Sequence, residues 1–142
     1  MSSRRIGSAL LLVVFLTACV GPPASLGDPN LDAGKQIFSD RCATCHGGNG
    51  QGGAGPALAG VLTTFPACDD QIHWVTLGSV KWTEENGPTY GAGGKAITAV
   101  MPEFGESLSD SEIQQVVSFE RFKFGGGEME ATLDDCGLAI AQ

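Results

Sequence analysis

Residues 42–46 read Cys-Ala-Thr-Cys-His, two cysteines three positions apart with a histidine directly after the second. This spacing is the attachment signature of a c-type haem. The thiols of Cys42 and Cys45 would each add to one haem vinyl group, and one helical turn presents both sulfurs to the same porphyrin edge. His46 would then offer an imidazole nitrogen to the iron. A structural cysteine pair or a redox dithiol is the alternative, which the adjacent histidine and the export signal described next disfavour.

The first 18 residues have the pattern of a bacterial lipoprotein signal peptide. Arg4 and Arg5 form a basic start, and residues 6–16 form an apolar stretch too short to span a membrane. Residues 16–19 read Leu-Thr-Ala-Cys, which predicts that Cys19 is lipidated and becomes the first mature residue. Ordinary signal cleavage near Ala18, with Cys19 left as a free thiol, is the alternative. The lipidated form predicts a location on the extracytoplasmic face of a membrane in the bacterial cell envelope.

The chain is acidic, with a formal net charge of −8 that becomes more negative once the signal peptide and its two arginines are removed. Such a charge disfavours nucleic acid and anionic lipid as partners. It is compatible with electrostatic steering toward a basic docking surface, and equally with solubility alone.

The length of 142 residues indicates one domain. Residues 19–29 are rich in proline and glycine and predict a lipid-anchored tether, residues 30–127 the domain, and residues 128–142 a C-terminal tail. Asn30 is the expected cap of a first helix that carries the haem motif at its end. Its apolar stripe consists of Leu31, Gly34, Phe38 and Cys42.

Two further helices follow in the sequence. One is predicted to begin near Asp69 and to end near Gly78, before a turn-rich segment from residue 80 to residue 94 with minimal strand content. The last helix has the clearest start, because Ser109 and Glu112 form a capping box. Three glycines at residues 125–127 end it.

The second axial ligand of the iron is predicted to be Met101. This methionine precedes a proline on a loop just before the last helix, and a loop can close over the open face of a haem. His73 lies in an apolar stretch where a packed histidine is the simpler interpretation. Met129 in the tail is the remaining alternative.

Taken in order, these motifs resemble the class I c-type cytochromes, which bind one haem through histidine and methionine. The resemblance extends over about residues 28–124, through residues 34–38, the Cys-Ala-Thr-Cys-His motif, and residues 55–60, 101–104 and 108–119. It implies an all-α fold with three to four helices around one covalent haem c and long loops. It also implies that Gly34 and Phe38 meet the last helix near Phe119.

The same resemblance implies roles around the haem. The carbonyl of Pro56 would accept a hydrogen bond from the far nitrogen of His46, which fixes the ring. Trp82 and Tyr90 would either donate hydrogen bonds to the haem propionates or pack in the aromatic core.

Two cysteines remain after the haem pair and the lipid candidate, namely Cys68 and Cys136. Both lie in segments that a minimal cytochrome does not need. Export places them in an oxidising compartment, where disulfides persist, so we expect them to be bonded to each other. Two unpaired thiols are the alternative.

The function predicted from these features is one-electron transfer between redox proteins, without an enzymatic activity of its own. The expected partners are a quinol-oxidising cytochrome complex or a terminal oxidase, with the lipid anchor holding the protein at the membrane. A haem subunit of a larger oxidoreductase is an alternative that the same sequence supports. An open-site haem enzyme or a gas sensor would require that Met101 is only a core residue.

Overall fold

The computed structural model describes residues 24–140, which contain six α-helices, one π-helical segment and one short β-hairpin. The helices are α1 (Pro29–Ile37), α2 (Ala43–His46), α3 (Val61–Thr64), α4 (Cys68–Asn86), α5 (Asp110–Lys123) and α6 (Met129–Asp135), and the π-helical segment is Phe38–Cys42. The strands β1 (Thr89–Tyr90) and β2 (Lys95–Ala96) pair antiparallel. The prediction of an all-α fold is confirmed. No helix within residues 24–140 is both long enough and apolar enough to cross a membrane.

The first helix begins with a side-chain cap. The predicted cap Asn30 is wrong, because Asp28 caps α1 and accepts hydrogen bonds from the backbone amides of Asn30 and Leu31. Pro29 occupies the first helical position, where its missing amide costs nothing. Residues 25–28 also contact α1, and Leu26 packs beside Phe38. The domain therefore begins several residues before the predicted boundary at residue 30.

The helices α1 and α5 cross in direct backbone contact at Gly34. A Cβ atom added at Gly34 would lie 2.0 Å from the carbonyl oxygen of Gln115 and 2.9 Å from the Cβ of Phe119. Only a residue without a side chain permits this approach. Phe38 lies one turn further along and packs its ring on Phe119, with ring centroids 5.5 Å apart. The predicted crossing of the first and last helices thus has the geometry that the sequence indicates.

The helix α4 is longer than predicted and is broken rather than ended at Gly78. Gly78 has φ 63° and ψ −178°, outside the helical region, and the chain resumes helical geometry as far as Asn86. The segment from residue 80 that was expected to be turn-rich is therefore helical for its first two turns. The hairpin of β1 and β2 follows, and four residues connect its strands.

The C-terminal tail folds back onto the domain through α6. Leu133 is fully buried there, and Cys136 is joined to Cys68 at the start of α4 in a disulfide with a Cα–Cα distance of 5.2 Å. Arg121 of α5 is buried between the same elements. It donates hydrogen bonds to the carbonyl oxygen of Phe65 and to a carboxylate oxygen of Asp135, both at 2.7 Å.

The contact at Gly34 predicts the effect of one added methyl group. We expect Gly34→Ala to lower the free energy of unfolding by about 1–3 kcal/mol or more, because the methyl group overlaps the backbone of α5. Denaturant unfolding followed by helical circular dichroism measures the loss. The control is Gly48→Ala, since a Cβ atom at Gly48 meets no atom within 4 Å. Equal stability of the two variants would show that the helices do not cross so closely.

Candidate functional site

The cysteine and histidine side chains of the motif line a large cavity between α5, α4 and the loops around residues 55–58 and 96–102. The cavity measures about 1170 Å³ with the part that is open to solvent. Met101 lines the same cavity, so the structure brings it together with Cys42, Cys45 and His46. Apolar residues cover much of the remaining wall, including Leu58, Val61, Phe65, Trp74, Val75, Ile97 and Phe104.

The two motif cysteines are presented by the π-helical segment and the turn of α2 that follows it. Neither Cys42 nor Cys45 forms a disulfide. The thiol of Cys42 is buried, and burial together with the nearby carboxyl group of Glu120 raises its pKa to about 12. Both sulfurs are therefore available for covalent attachment at one wall of the cavity.

The imidazole of His46 is oriented by the backbone beside it. Its Nδ1 lies 2.8 Å from the carbonyl oxygen of Pro56. A carbonyl only accepts hydrogen bonds, so Nδ1 carries the proton and Nε2 keeps a free lone pair toward the cavity. Gly55 allows this loop to approach, since a Cβ atom there would lie 3.1 Å from Cε1 of the ring. Pro56 thus has the contact that the family resemblance implies.

The loop that carries Met101 is attached to the break in α4. At Gly78 the helix loses its regular hydrogen bonds, and the loop replaces them. The amide of Ser79 donates to the carbonyl oxygen of Met101 at 2.9 Å, and the amide of Met101 donates to the hydroxyl of Ser79 at 3.0 Å. The carbonyls of Val75 and Thr76 in turn accept from the amides of Phe104 and Gly105.

This exchange explains why the helix breaks at a glycine. A Cβ atom at Gly78 would lie 2.5 Å from the backbone of Pro102 and Glu103, so the loop and α4 could not approach. Lys81 on the next turn of α4 forms ion pairs with Glu103 and Glu106 and holds the outer side of the loop. The position of Met101 therefore depends on backbone contacts made by α4.

The two alternative ligands lie elsewhere. His73 is about half exposed, with its Nε2 3.9 Å from a carboxylate oxygen of Glu85, and it does not line the cavity. Met129 begins α6, approaches Gly27 and does not line the cavity. Of the candidates considered for the second axial position, the structure brings Met101 alone to the cavity with His46.

Of the two aromatic residues proposed to bind the propionates, only Tyr90 lines the cavity. Tyr90 lines the cavity and stacks on Trp74, with ring centroids 4.5 Å apart. Trp82 lies outside the cavity and packs edge-on against Trp74. Its indole nitrogen donates to the carbonyl oxygen of Thr89 at 2.8 Å, so it is occupied within the fold. The propionate role suggested for Trp82 is therefore corrected to core packing.

Two cations, one amide side chain and one carboxyl group at the cavity were not identified from the sequence. Arg41 and Lys95 are cations on its wall, and Nζ of Lys95 donates to the hydroxyl of Thr64 at 2.7 Å. Gln71 and Glu120 are buried polar side chains on the same wall, from α4 and α5. Arg41 precedes the motif directly and could have been noticed, whereas no local pattern marks the other three.

The donors at this cavity fit a haem. Two unpaired thiols lie beside one imidazole whose second nitrogen is free, with a methionine thioether and an apolar wall in the same cavity. In residues 24–140 no three His, Cys, Asp or Glu side chains come together to hold a metal ion by themselves. An iron at this site would therefore need the porphyrin for its remaining ligands.

Comparison with known proteins agrees with this geometry. The family model for cytochrome c matches residues 31–119. The chain belongs to the cytochrome c family. It is 30% identical to cytochrome c6 of Rippkaea orientalis over 118 residues, which cover 82% of this chain and 90% of that protein.

Membership of the cytochrome c family confirms the class I fold and the cofactor predicted from the sequence. The chain carries covalently bound haem c. It is an electron-transfer haem protein of the class I type.

Proposed function

We propose that this cytochrome is a membrane-tethered, extracytoplasmic carrier of one electron, with His46 and Met101 as the axial ligands of its haem iron. The observation that carries the proposal is the common cavity of His46 and the hydrogen-bonded Met101 loop. When bound, the haem supplies reversible one-electron chemistry at its iron. A thioether ligand opposite a histidine raises the reduction potential relative to two imidazoles.

The residues around the cavity would bind the haem, orient its histidine ligand and shield the iron from water. Cys42 and Cys45 would hold the porphyrin edge, and the Pro56 carbonyl would keep the His46 ring oriented so that Nε2 can bind the iron. Arg41, Lys95 and Tyr90 would bind the propionates, since each presents a donor at the cavity wall. The apolar wall would exclude water. Less solvent would then have to reorient when the site gains or loses one elementary charge.

With His46 and Met101 both bound to it, the iron would have no place for a substrate. The loop of Met101 makes three backbone hydrogen bonds with α4 and one with the hydroxyl of Ser79, and ion pairs from Lys81 reinforce it. Opening the iron would require breaking these contacts. This argues for electron transfer rather than for an open-site enzyme or a gas sensor.

The exposed edge of the cavity is the proposed docking face for redox partners. Val100, directly before Met101, is 78% exposed, and Val80 beside it on α4 is 59% exposed. An apolar edge within an acidic molecule suits a partner with an apolar contact ringed by basic residues. A quinol-oxidising cytochrome complex and a terminal oxidase are the partners we propose. The interface would be small, under about 1,200 Å², as in other transient redox complexes.

Replacing Met101 tests the axial ligand. We expect Met101→Ala to retain covalent haem, to lose the near-red sulfur-to-iron band of the oxidised protein and to have a lower potential. Added imidazole should bind about tenfold tighter or more, because it no longer competes with a tethered ligand. Absorption spectra and imidazole titrations measure both effects.

Two further variants complete the Met101 experiment. Met129→Ala removes a methionine outside the cavity and should leave the band and imidazole affinity unchanged. Ser79→Ala removes the hydroxyl that accepts from the Met101 amide and should give intermediate imidazole affinity. Loss of the band in Met129→Ala, or its retention in Met101→Ala, would contradict the assignment.

The membrane tether depends on Cys19, which lies outside the described residues. Ala24 is already fixed to the domain, since its carbonyl accepts from Nζ of Lys35. The five steps of chain from Cys19 to Ala24 extend at most about 18 Å. A lipid on Cys19 would therefore hold the haem domain close to the membrane surface.

Fractionation of cells that express Cys19→Ser tests the anchor. We expect the variant to appear in the soluble fraction or to remain unprocessed, because a lipoprotein cysteine with several acyl chains provides stable anchoring. Ala24→Ser serves as the control and should stay with the membranes. Processed Cys19→Ser that stays with the membranes would mean that another feature anchors the protein.

A further inference from the structure

The cavity contains a buried carboxyl group that the proposed function does not use. Glu120 lies on α5 and is 6% exposed, with its side chain on the wall that also carries Cys42. One hydrogen bond reaches it, from the side-chain amide of Gln71 to Oε2 at 2.9 Å. Among the described residues nothing donates to the other oxygen. A carboxyl group in this position faces the cofactor rather than solvent.

No cation neutralises Glu120 within the part of the chain that the structure describes. Its neighbour Arg121 points away from the cavity to the carbonyls of Phe65 and Pro66 and to Asp135. Gln71, which bonds Glu120 from α4, is neutral and also accepts from Arg121 at 3.4 Å. The other titratable groups on the cavity wall are Arg41, Cys42, Cys45, His46, Tyr90 and Lys95. None of them forms an ion pair with Glu120 within 4 Å.

Burial without a cation keeps this carboxyl group protonated near neutral pH. Desolvation raises the pKa of Glu120 to about 8, and the hydrogen bond from Gln71 opposes the rise only in part. The wall of the cavity thus contains a group whose pKa of about 8 lies close enough to neutral pH for its proton to exchange. The charge of the adjoining site changes by one unit when the protein is oxidised or reduced.

We propose that Glu120 is a redox-linked proton site, which takes up a proton as the protein accepts an electron and releases it as the electron leaves. The proposal rests on the proposed one-electron function. The electron comes from one redox partner and passes to the next, while the proton comes from water and returns to it. One proton and one electron therefore enter together, and no other reactant is needed.

The redox linkage has its physical basis in the apolar cavity, where a low dielectric constant makes the charge of the cofactor and the charge of Glu120 interact strongly. In the oxidised protein the additional positive charge favours the carboxylate. In the reduced protein that charge is gone, and the carboxylic acid is favoured. The affinity of Glu120 for a proton is thus higher in the reduced state. By linkage, a lower pH must favour reduction to the same extent.

The consequence is a reduction potential that depends on pH. The potential is constant at pH values below the pKa of Glu120 in both redox states, and again at pH values above both. Between them it falls as pH rises, with a limiting slope of tenfold in the equilibrium constant per pH unit, which is about 59 mV for one electron. The fall should lie within the interval from the ordinary glutamic acid pKa of 4.5 to somewhat above 8.

Potentiometric titration of the holoprotein at a series of pH values tests the proposal. We expect the wild-type potential to fall through this interval and Glu120→Gln to remove most of that fall, since the amide preserves shape but does not titrate. Glu130→Gln is the matched control, because it makes the same exchange of a carboxyl group for an amide at an exposed position on α6. Its potential should retain the wild-type dependence on pH.

Three results of this titration would overturn the proposal. They are a wild-type potential that is constant throughout the interval, a fall that persists unchanged in Glu120→Gln, and a fall that Glu130→Gln also removes. A protein that cannot be reduced reversibly by one electron would contradict the proposed function itself. Reversible reduction without any effect of Glu120→Gln contradicts the proton site alone.

A measurement on the wild-type protein covers the case in which Glu120→Gln fails to fold. Redox-difference infrared spectra should show the carbonyl stretch of a protonated carboxylic acid that gains intensity on reduction. Uniform ¹³C labelling of glutamate should shift this band. If no labelled carboxylic acid band changes with redox state, Glu120 is not the proton site.

Discussion

The backbone contact between α1 and α5 at Gly34 is the constraint on which the other features of the fold depend. It fixes the end of α1, and the π-helical segment that follows then presents Cys42 to the cavity. It also fixes the face of α5 that carries Glu120. Because no side chain separates the two helices, a change at this crossing would displace Cys42 and Glu120, which share one wall of the haem cavity.

The cavity has a second wall that is held differently. There the break of α4 at Gly78 releases one amide and two carbonyls, and the Met101 loop takes up all three. Unpaired buried backbone groups are costly, so this exchange stabilises both the break and the loop. The disulfide and the buried Arg121 then attach the tail behind the same helix. The proposed axial ligand is thus placed by hydrogen bonds that do not involve its own side chain.

Much of this site could be predicted because its signals are local. The haem motif, the Pro-flanked Met101 and the capping box at Ser109 each depend on a few adjacent residues. The break of α4 could not be predicted as a break, because a glycine within a helical pattern equally marks an end. What distinguishes the two is the docking of a loop more than twenty residues later in the chain. The sequence left two roles open for Trp82 for the same reason, since its hydrogen bond with the Thr89 carbonyl depends on how the hairpin folds back.

The buried polar residues were the largest omission. Gln71, Glu120 and Arg121 lie on helices whose sequence periodicity indicates only that one face is buried. Charged residues are rarely buried without partners, so pattern alone assigns them to the surface. Their partners come from α4, α6 and the segment before α4, which only the tertiary structure brings together. The potential-setting role proposed for Glu120 could therefore not have been inferred from spacing.

The central claim is that one haem fills the cavity and that Met101 binds its iron. Proton–carbon NMR of the reduced protein with ¹³C-labelled methionine methyl groups tests it most directly. A methyl group bound above a porphyrin is shifted far upfield by the ring current. The account predicts one such signal, which disappears in Met101→Leu and persists in Met129→Leu. If no methionine methyl signal is shifted upfield, or if the shifted signal belongs to Met129, the account is contradicted.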